Sequence, residues 1–152
     1  MLESIGRFFL ALHFQYVELF LTALLPMGLT VLVHGQGMGL VIRYWRRSRP
    51  RLTRHRHSTA FLLITVIAIM MAAHYVEISV WALFYFSTDM LSDFRSAMSF
   101  SVSSYTTLGS SIILPARWQG LDGLEAMAGM LMFGWSTAVL VAIVQKIHNI
   151  DA

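Results

Sequence analysis

The chain has 152 residues, of which 57% are hydrophobic and 12% are charged. Soluble domains carry about 25% charged residues, so a soluble fold of this chain would expose large apolar patches, and the composition favours a one-unit membrane protein. Most of the basic residues behind the net charge of +3 lie in one stretch, so the charge is not evidence for nucleic-acid binding, although a nucleic-acid or regulatory role for that stretch stays open. The lack of cysteine excludes disulfides and thiolate metal ligands.

Three stretches are long and apolar enough to cross a hydrocarbon core of about 30 Å, which takes roughly 20 residues. Residues 17–42 form the first span, and residues 1–16 before it mix aromatic and charged side chains as an interfacial helix does. Residues 59–86 form the second span and residues 121–147 the third, followed by a short tail at 148–152. The chain starts without the basic region of a cleaved signal peptide, so we expect the first span to be retained.

A basic loop at residues 43–58 separates the first two spans and sets the expected topology. It holds seven of the eleven basic residues, namely Arg43, Arg46, Arg47, Arg49, Arg51, Arg54 and Arg56. Cytoplasmic loops are enriched in Lys and Arg. We therefore expect this loop and the C-terminus in the cytoplasm, and the N-terminus and residues 87–120 outside, in a multi-pass protein of the plasma or inner membrane. The arginines at 43–57 are also expected to attract anionic lipid headgroups.

Between the second and third spans, the sequence favours a hairpin that enters the membrane without crossing it. Ser92 or Asp93 is placed to cap a helix. The apolar stretch from Phe94 to Tyr105 makes about three helical turns, which is too short to cross a bilayer. Non-helical backbone at membrane depth must be buried in protein or line water. Several copies of such a hairpin around a shared axis would satisfy that condition.

Residues 59–147 resemble the pore domain of the potassium-channel pore-loop superfamily. The resemblance is carried by the order of the elements and by the sequence TTLG at residues 106–109, about a dozen residues after the start of the short helix. It implies an all-α membrane protein that assembles as a homotetramer. Each subunit would have three transmembrane helices plus a re-entrant pore helix at 92–105 and a filter loop at 106–111. The first span has no counterpart in a two-span channel and would be peripheral.

The resemblance also implies a function, the passive conduction of monovalent cations. The altered outer half of the filter predicts that K⁺ is only weakly preferred over Na⁺. We expect no enzymatic activity, since the sequence has no HExxH motif and no nucleophile–base pair. The filter residues would be Thr106, Thr107, Leu108, Gly109, Ser110 and Ser111. A cation would be bound by the carbonyls of Thr107 and Leu108 together with the Thr107 hydroxyl. Ser110 and Ser111 replace the family's tyrosine and second glycine, so Ser111 would adopt a positive φ at a steric cost. A non-conducting homologue with a blocked filter is the alternative.

Gly134 lies near the middle of the third span, where inner helices of the family often carry a hinge glycine. The resemblance therefore implies that Gly134 is a gating hinge.

The second span carries an unusual pair of ionisable residues. His74 and Glu77 are three residues apart and share one helix face, at a depth where ionisable side chains are rare and usually functional. A proton-sensitive gate, a metal pair, and a buried hydrogen bond to the first or third span all remain open. His34 could partner the pair, or ligate haem together with His74, although haem would leave the pore-like segment unexplained. We expect no cofactor other than permeant K⁺ or Na⁺.

The outer side of the protein is expected to be acidic. Asp89, Asp93, Asp122 and Glu125 fall in or next to the outer segments. These carboxylates would either attract cations to the mouth of a pore or serve as ordinary interfacial charges.

Overall fold

The computed structural model describes residues 2–52 and 57–151, and all of its regular secondary structure in that part of the chain is helical. Its α-helices are α1 (Leu2–Leu52), α2 (His57–Ser87), α3 (Phe94–Tyr105) and α4 (Leu121–Asp151), with a short 3₁₀ turn at Ala116–Trp118. The helices α1, α2 and α4 are long and α3 has 12 residues, so the described part of the chain is three long helices with one short helix between the last two.

The three predicted spans are confirmed as helices that are long and apolar enough to cross a membrane, at Tyr16–Ser48, Thr59–Ser87 and Ala116–His148. In the most apolar window of each, only 22%, 28% and 28% of the residues are buried by the chain itself. Large apolar side chains remain exposed along the spans, among them Leu25, Leu32, Phe61, Met71 and Leu131. Lipid or other chains must cover these surfaces, as expected for a membrane protein.

The first helix is longer than the sequence predicts. α1 runs without interruption from Leu2 to Leu52, so most of the predicted interfacial segment and residues 43–52 of the predicted basic loop belong to this one helix. Hydropathy marks where a chain leaves the membrane and does not mark where its helix ends. Arginine is also a good helix former. Residues 53–56, with Arg54 and Arg56, lie outside the described residues.

Asp93, one of the two residues that the sequence predicts as caps, caps α3. Its carboxylate accepts hydrogen bonds from the amide of Ser96 (2.8 Å), the hydroxyl of Ser96 (2.8 Å) and the amide of Arg95 (3.3 Å). The helix itself begins one residue later, at Phe94. The bonds from Ser96 are the main reason that the pKa of the Asp93 carboxyl lies below its usual range.

This cap gives a testable pH dependence. Folding lowers the pKa of Asp93, so its contribution to the free energy of unfolding is complete above the unfolded-state pKa. That contribution is lost as the pH falls through the folded-state pKa. We expect Asp93→Ala to lower the melting temperature at neutral pH and to lose less stability than wild type on acidification. Asp93→Asn keeps an acceptor oxygen, so it should retain more of the cap without its titration.

The measurement is the melting temperature of the three proteins in detergent, from neutral pH down to about pH 3, which spans the usual pKa of aspartate. Parallel pH profiles for wild type and Asp93→Asn would contradict a titrating cap.

Two apolar clusters hold the helices together. The first includes Trp81, Tyr85, Phe100, Leu121 and Met132. The second includes Met38, Trp45, Leu62, Val66 and Ile143. Along each of α1, α2 and α4, buried polar side chains separate the residues of the first cluster from those of the second. They include His34, His74 and Ser136.

Candidate functional site

The loop that follows α3 is tied to the last turns of that helix by its own backbone amides. The amide of Thr107 donates to the carbonyl of Ser104 at 2.9 Å, and the amides of Leu108 and Gly109 donate to the carbonyl of Ser103 at 2.9 and 3.2 Å. In the part of the chain that the structure describes, no hydrogen bond is donated to the carbonyls of Thr107, Leu108 or Gly109. Those three oxygens are therefore available to another ligand.

Two residues of this loop have left-handed backbone, Thr107 with φ +63° and Gly109 with φ +76°. Glycine tolerates this region because it has no β-carbon, whereas a β-branched threonine is an outlier there, at a cost of about 1–3 kcal/mol. The expectation of a positive φ at Ser111 is wrong. The left-handed residue besides Gly109 is Thr107. The chain reverses its twist there, immediately after α3, because the loop amides bond back to that helix.

The predicted filter residues form one continuous, outward-facing loop. Leu108 in this loop is 80% exposed. The hydroxyl of Thr106 donates to the carbonyl of Val102 at 2.6 Å, so this side chain is turned back onto α3. The hydroxyl of Ser110 accepts a bond from the amide of Ile112 at 3.1 Å. The structure thus gathers residues 106–111 in one loop, with the side chains of Thr106 and Ser110 bound to the chain itself.

Five buried polar side chains from all four helices meet next to this loop. They are His34 on α1, His74 and Glu77 on α2, Tyr105 at the end of α3, and Ser136 on α4. We call this group the polar ring. Tyr105 directly precedes the loop, so the polar ring holds the residue from which the loop departs.

The contacts within the polar ring form a closed circuit. His34 Nδ1 lies 2.9 Å from Glu77 Oε1, and the Tyr105 hydroxyl donates to Glu77 Oε2. The same hydroxyl lies 3.2 Å from His74 Nδ1. His74 Nε2 lies 3.1 Å from Ser136 Oγ, which lies 3.4 Å from His34 Nε2. Among the described residues, no buried side-chain nitrogen or oxygen lacks a hydrogen-bond partner.

The polar ring can satisfy all of its hydrogen bonds within one circuit. The Glu77 carboxylate contacts His34 Nδ1 and the Tyr105 hydroxyl. The Ser136 hydroxyl lies between the two Nε2 atoms, and a hydroxyl can donate one hydrogen bond and accept two. Because each member has such partners, the cost of burying these polar groups is offset.

Two aromatic side chains of α4 pack against the polar ring. The Trp135 ring lies 5.0 Å from that of His34, and the Phe133 ring lies 4.6 Å from that of His74 and 5.5 Å from that of Tyr105, between ring centroids. They place apolar material beside the histidines, and hydrogen bonds in a low-dielectric environment are electrostatically stronger than in water. The arrangement can therefore hold Tyr105 in a fixed position.

A second buried carboxylate was not predicted. Glu125, expected on the acidic outer surface, is fully buried, and it accepts hydrogen bonds from Tyr85 at 2.9 Å and from Ser101 at 2.5 Å. These two donors on α2 and α3 offset the cost of removing the carboxylate from water. The helical periodicity of α4 would have predicted this burial. Glu125 lies four residues after Leu121 and three before Ala128, and both of these residues are buried on the same face of α4.

Gly129 on α4 packs directly against the end of α3, and the sequence did not single it out. A β-carbon there would collide with the backbone carbonyl of Tyr105 and lie 3.2 Å from the tyrosine ring. A β-carbon on Gly134 would meet no atom within 4 Å. α4 continues as one α-helix through Gly134, and its role as a gating hinge stays a prediction.

Comparisons with known proteins offer no further guide to this site. A scan against models of protein families finds no match, and neither does a search of curated proteins or of solved structures. The function of the chain is therefore inferred from the loop and the polar ring themselves.

Proposed function

We propose that the chain is the subunit of a homotetrameric cation channel, with α3 as the pore helix and residues 106–111 as the filter. The observation that carries this proposal is the loop after α3. The carbonyls of Thr107, Leu108 and Gly109 accept no hydrogen bond in the described part of the chain, and two of these residues are held in left-handed backbone. Several such carbonyls from each of four subunits could replace the hydration shell of K⁺ or Na⁺.

The direction of α3 supports the same function. The C-terminal end of a helix carries a partial negative charge, and α3 ends at Tyr105, directly before the loop. Four such ends pointing at one axis would favour a cation there. The Thr107 hydroxyl would add an oxygen at the inner end of the filter, where the family resemblance also expects one.

Assembly around an axis accounts for the exposed surfaces. Non-helical backbone at membrane depth must be sheltered by protein or line water, and one chain leaves the loop outward-facing, with Leu108 80% exposed. Four copies would shelter one side of the loop and leave the other lining a water-filled path. The apolar faces of the spans would then be divided between lipid and neighbouring subunits.

The polar ring supports a filter that is rigid at its inner end only. In the family a tyrosine braces the filter at the position that Ser110 occupies. Here the brace would come from Tyr105, which is bonded to Glu77 and His74. It lies before the filter, so it can fix Thr107 and Leu108 more firmly than Ser110 and Ser111. A filter with fewer rigid ion-binding sites along its path should discriminate only weakly between K⁺ and Na⁺.

The basic ends of the helices support the predicted orientation. Arg46 on α1 and Lys146 on α4 line one cavity of about 410 Å³, so the two C-terminal helix ends lie on the same side. By the positive-inside rule that side is cytoplasmic, which places the N-terminus outside and the anionic lipids around residues 43–57. The membrane would be the plasma or inner membrane.

The contacts around the histidines favour a channel over a haem protein. His34 and His74 have ring centroids 5.3 Å apart, and the Nε2 atoms of both lie within 3.4 Å of Ser136 Oγ. A porphyrin would have to separate two rings that one hydroxyl now joins.

Ion flux tests the proposal directly. In liposomes that contain the purified protein, we expect K⁺ and Na⁺ flux without Cl⁻ flux. Thr107→Ala removes one oxygen ligand per subunit and should lower cation flux at least about tenfold, which corresponds to 1.4 kcal/mol. Thr65→Ala is the matched control, since that hydroxyl donates to the carbonyl of Phe61 on its own helix.

Equal flux in Thr107→Ala and Thr65→Ala would mean that ions do not pass through this loop. An assembled tetramer with no cation flux would instead support the blocked-filter homologue.

A further inference from the structure

We propose that the polar ring binds a divalent transition-metal ion, Zn²⁺, through His34, His74 and Glu77. One ligand atom from each of these side chains lies within 4.8 Å of the others, and all three side chains are buried. His34 belongs to α1 and the other two to α2, so a bound ion would fasten the peripheral helix to the rest of the fold. This inference goes beyond conduction and does not depend on it.

The distances suit a zinc site. Tetrahedral Zn²⁺ holds nitrogen at about 2.0–2.1 Å and oxygen at about 2.0–2.2 Å, which places neighbouring ligand atoms about 3.3–3.5 Å apart. His34 Nδ1 lies 2.9 Å from Glu77 Oε1, and His74 Nδ1 lies 3.4 Å from Glu77 Oε2. An ion between the carboxylate and the two Nδ1 atoms would lengthen the first of these distances by about 0.4–0.6 Å and draw together ligand atoms that lie within 4.8 Å of one another.

Ser136 provides the outer support that histidine ligands need. A metal-bound histidine almost always donates its second ring N–H to an oxygen, which fixes the tautomer and the ring orientation. Both Nε2 atoms face Ser136 Oγ, at 3.1 and 3.4 Å. A hydroxyl oxygen has two lone pairs and can accept from both rings. With both Nε2 atoms protonated, both Nδ1 lone pairs point toward Glu77, where the ion would lie.

Tyr105 can complete the site. Its hydroxyl lies 3.2 Å from His74 Nδ1 and contacts Glu77, so its oxygen is within reach of the same ion. Zn²⁺ with one carboxylate and one phenolate is electrically neutral, so its entry into a neutral polar ring would release two protons to solvent, the phenol proton and one other proton of the ring. Four protein ligands and no open position are typical of a structural zinc site.

The test uses the whole protein in detergent, stripped with a chelator and then dialysed against Zn²⁺ or Co²⁺. We expect one Zn²⁺ per chain by elemental analysis, and for Co²⁺ the intense visible bands of a tetrahedral site. His34→Gln and His74→Gln should each remove the stoichiometric metal. Ser136→Ala should weaken the affinity about 10–100-fold, as loss of an outer-shell partner does.

His148→Gln is the matched control, because His148 lies exposed on α4 and its Nδ1 lies 3.0 Å from the carbonyl of Val144. It should bind as wild type does. The proposal is overturned if wild type shows no tetrahedral Co²⁺ spectrum, a result that needs no variant to fold. It is also overturned if His148→Gln removes the metal and His74→Gln does not, which would indicate adventitious binding.

Metal content and spectrum are independent of ion flux. A protein that binds Zn²⁺ and conducts nothing would contradict the channel alone, and a conducting protein without Zn²⁺ would contradict this site alone.

Discussion

Gly129→Ala is expected to lower the free energy of unfolding by about 3 kcal/mol or more, at or above the upper end of the range for overpacking. The added methyl would collide with the Tyr105 carbonyl and lie 3.2 Å from the Tyr105 ring. Gly129 is helical backbone and the colliding carbonyl belongs to the last residue of α3, so neither can rotate away as a side chain would. α3 and α4 must separate, and Tyr105 would then lose its position against Glu77.

Thermal unfolding in detergent and the yield of assembled protein would measure this effect. Gly123→Ala and Gly134→Ala are the matched controls, since a β-carbon at either meets no atom within 4 Å. Alanine is the better helix former by about 1 kcal/mol, so both controls should equal or exceed wild type in stability. If Gly129→Ala were as stable as Gly134→Ala, the two helices would not approach as closely as the structure places them.

The elements that could be predicted from the sequence are those with local signals. Each span is a continuous apolar stretch, and the start of α3 carries its own cap at Asp93. The end of α1 could not be predicted in the same way, because arginine sustains a helix after the apolar stretch has ended. The φ of Thr107 was missed for a different reason. It follows from hydrogen bonds back to Ser103 and Ser104, which a comparison of filter sequences does not contain.

The polar ring could be predicted only in part, because some of its residues have no distinguishing pattern in the sequence. His74 and Glu77 were found because ionisable residues are rare at that depth, and the open alternative of a buried hydrogen bond to the first span is what the structure contains, from His34. Tyr105 and Ser136 carry no such signal, since both residue types are common in helices. They lie 31 and 62 residues from His74 along the chain, and only packing of the helices brings them together.

Glu77→Leu is expected to destabilise the protein by about 3–5 kcal/mol, because each of the two buried donors that it leaves without an acceptor costs about 1–3 kcal/mol. Leucine fills a similar volume, so the loss arises from polarity more than from a cavity. The His34 Nδ1–H and the Tyr105 O–H would lose their acceptor inside a core where both side chains are fully buried. The measurement is the denaturation midpoint of the detergent-solubilised protein.

Glu18→Leu is the control for removing a carboxylate. Glu18 pairs with Arg117 where the two side chains are 43% and 65% exposed, and exposed pairs contribute less than about 1 kcal/mol. A loss of similar size in both variants would mean that the polar ring is wetter than its burial indicates.

The double variant His34→Leu/Glu77→Leu separates the two roles of the polar ring. Replacing both partners of a buried pair with apolar groups is often neutral or stabilising, so the double variant should be more stable than Glu77→Leu alone. Tyr105 would still lack its Glu77 acceptor, and with it the brace of the proposed filter. We therefore expect stability to recover while cation flux does not. Recovery of flux together with stability would show that the polar ring serves only to pack the helices.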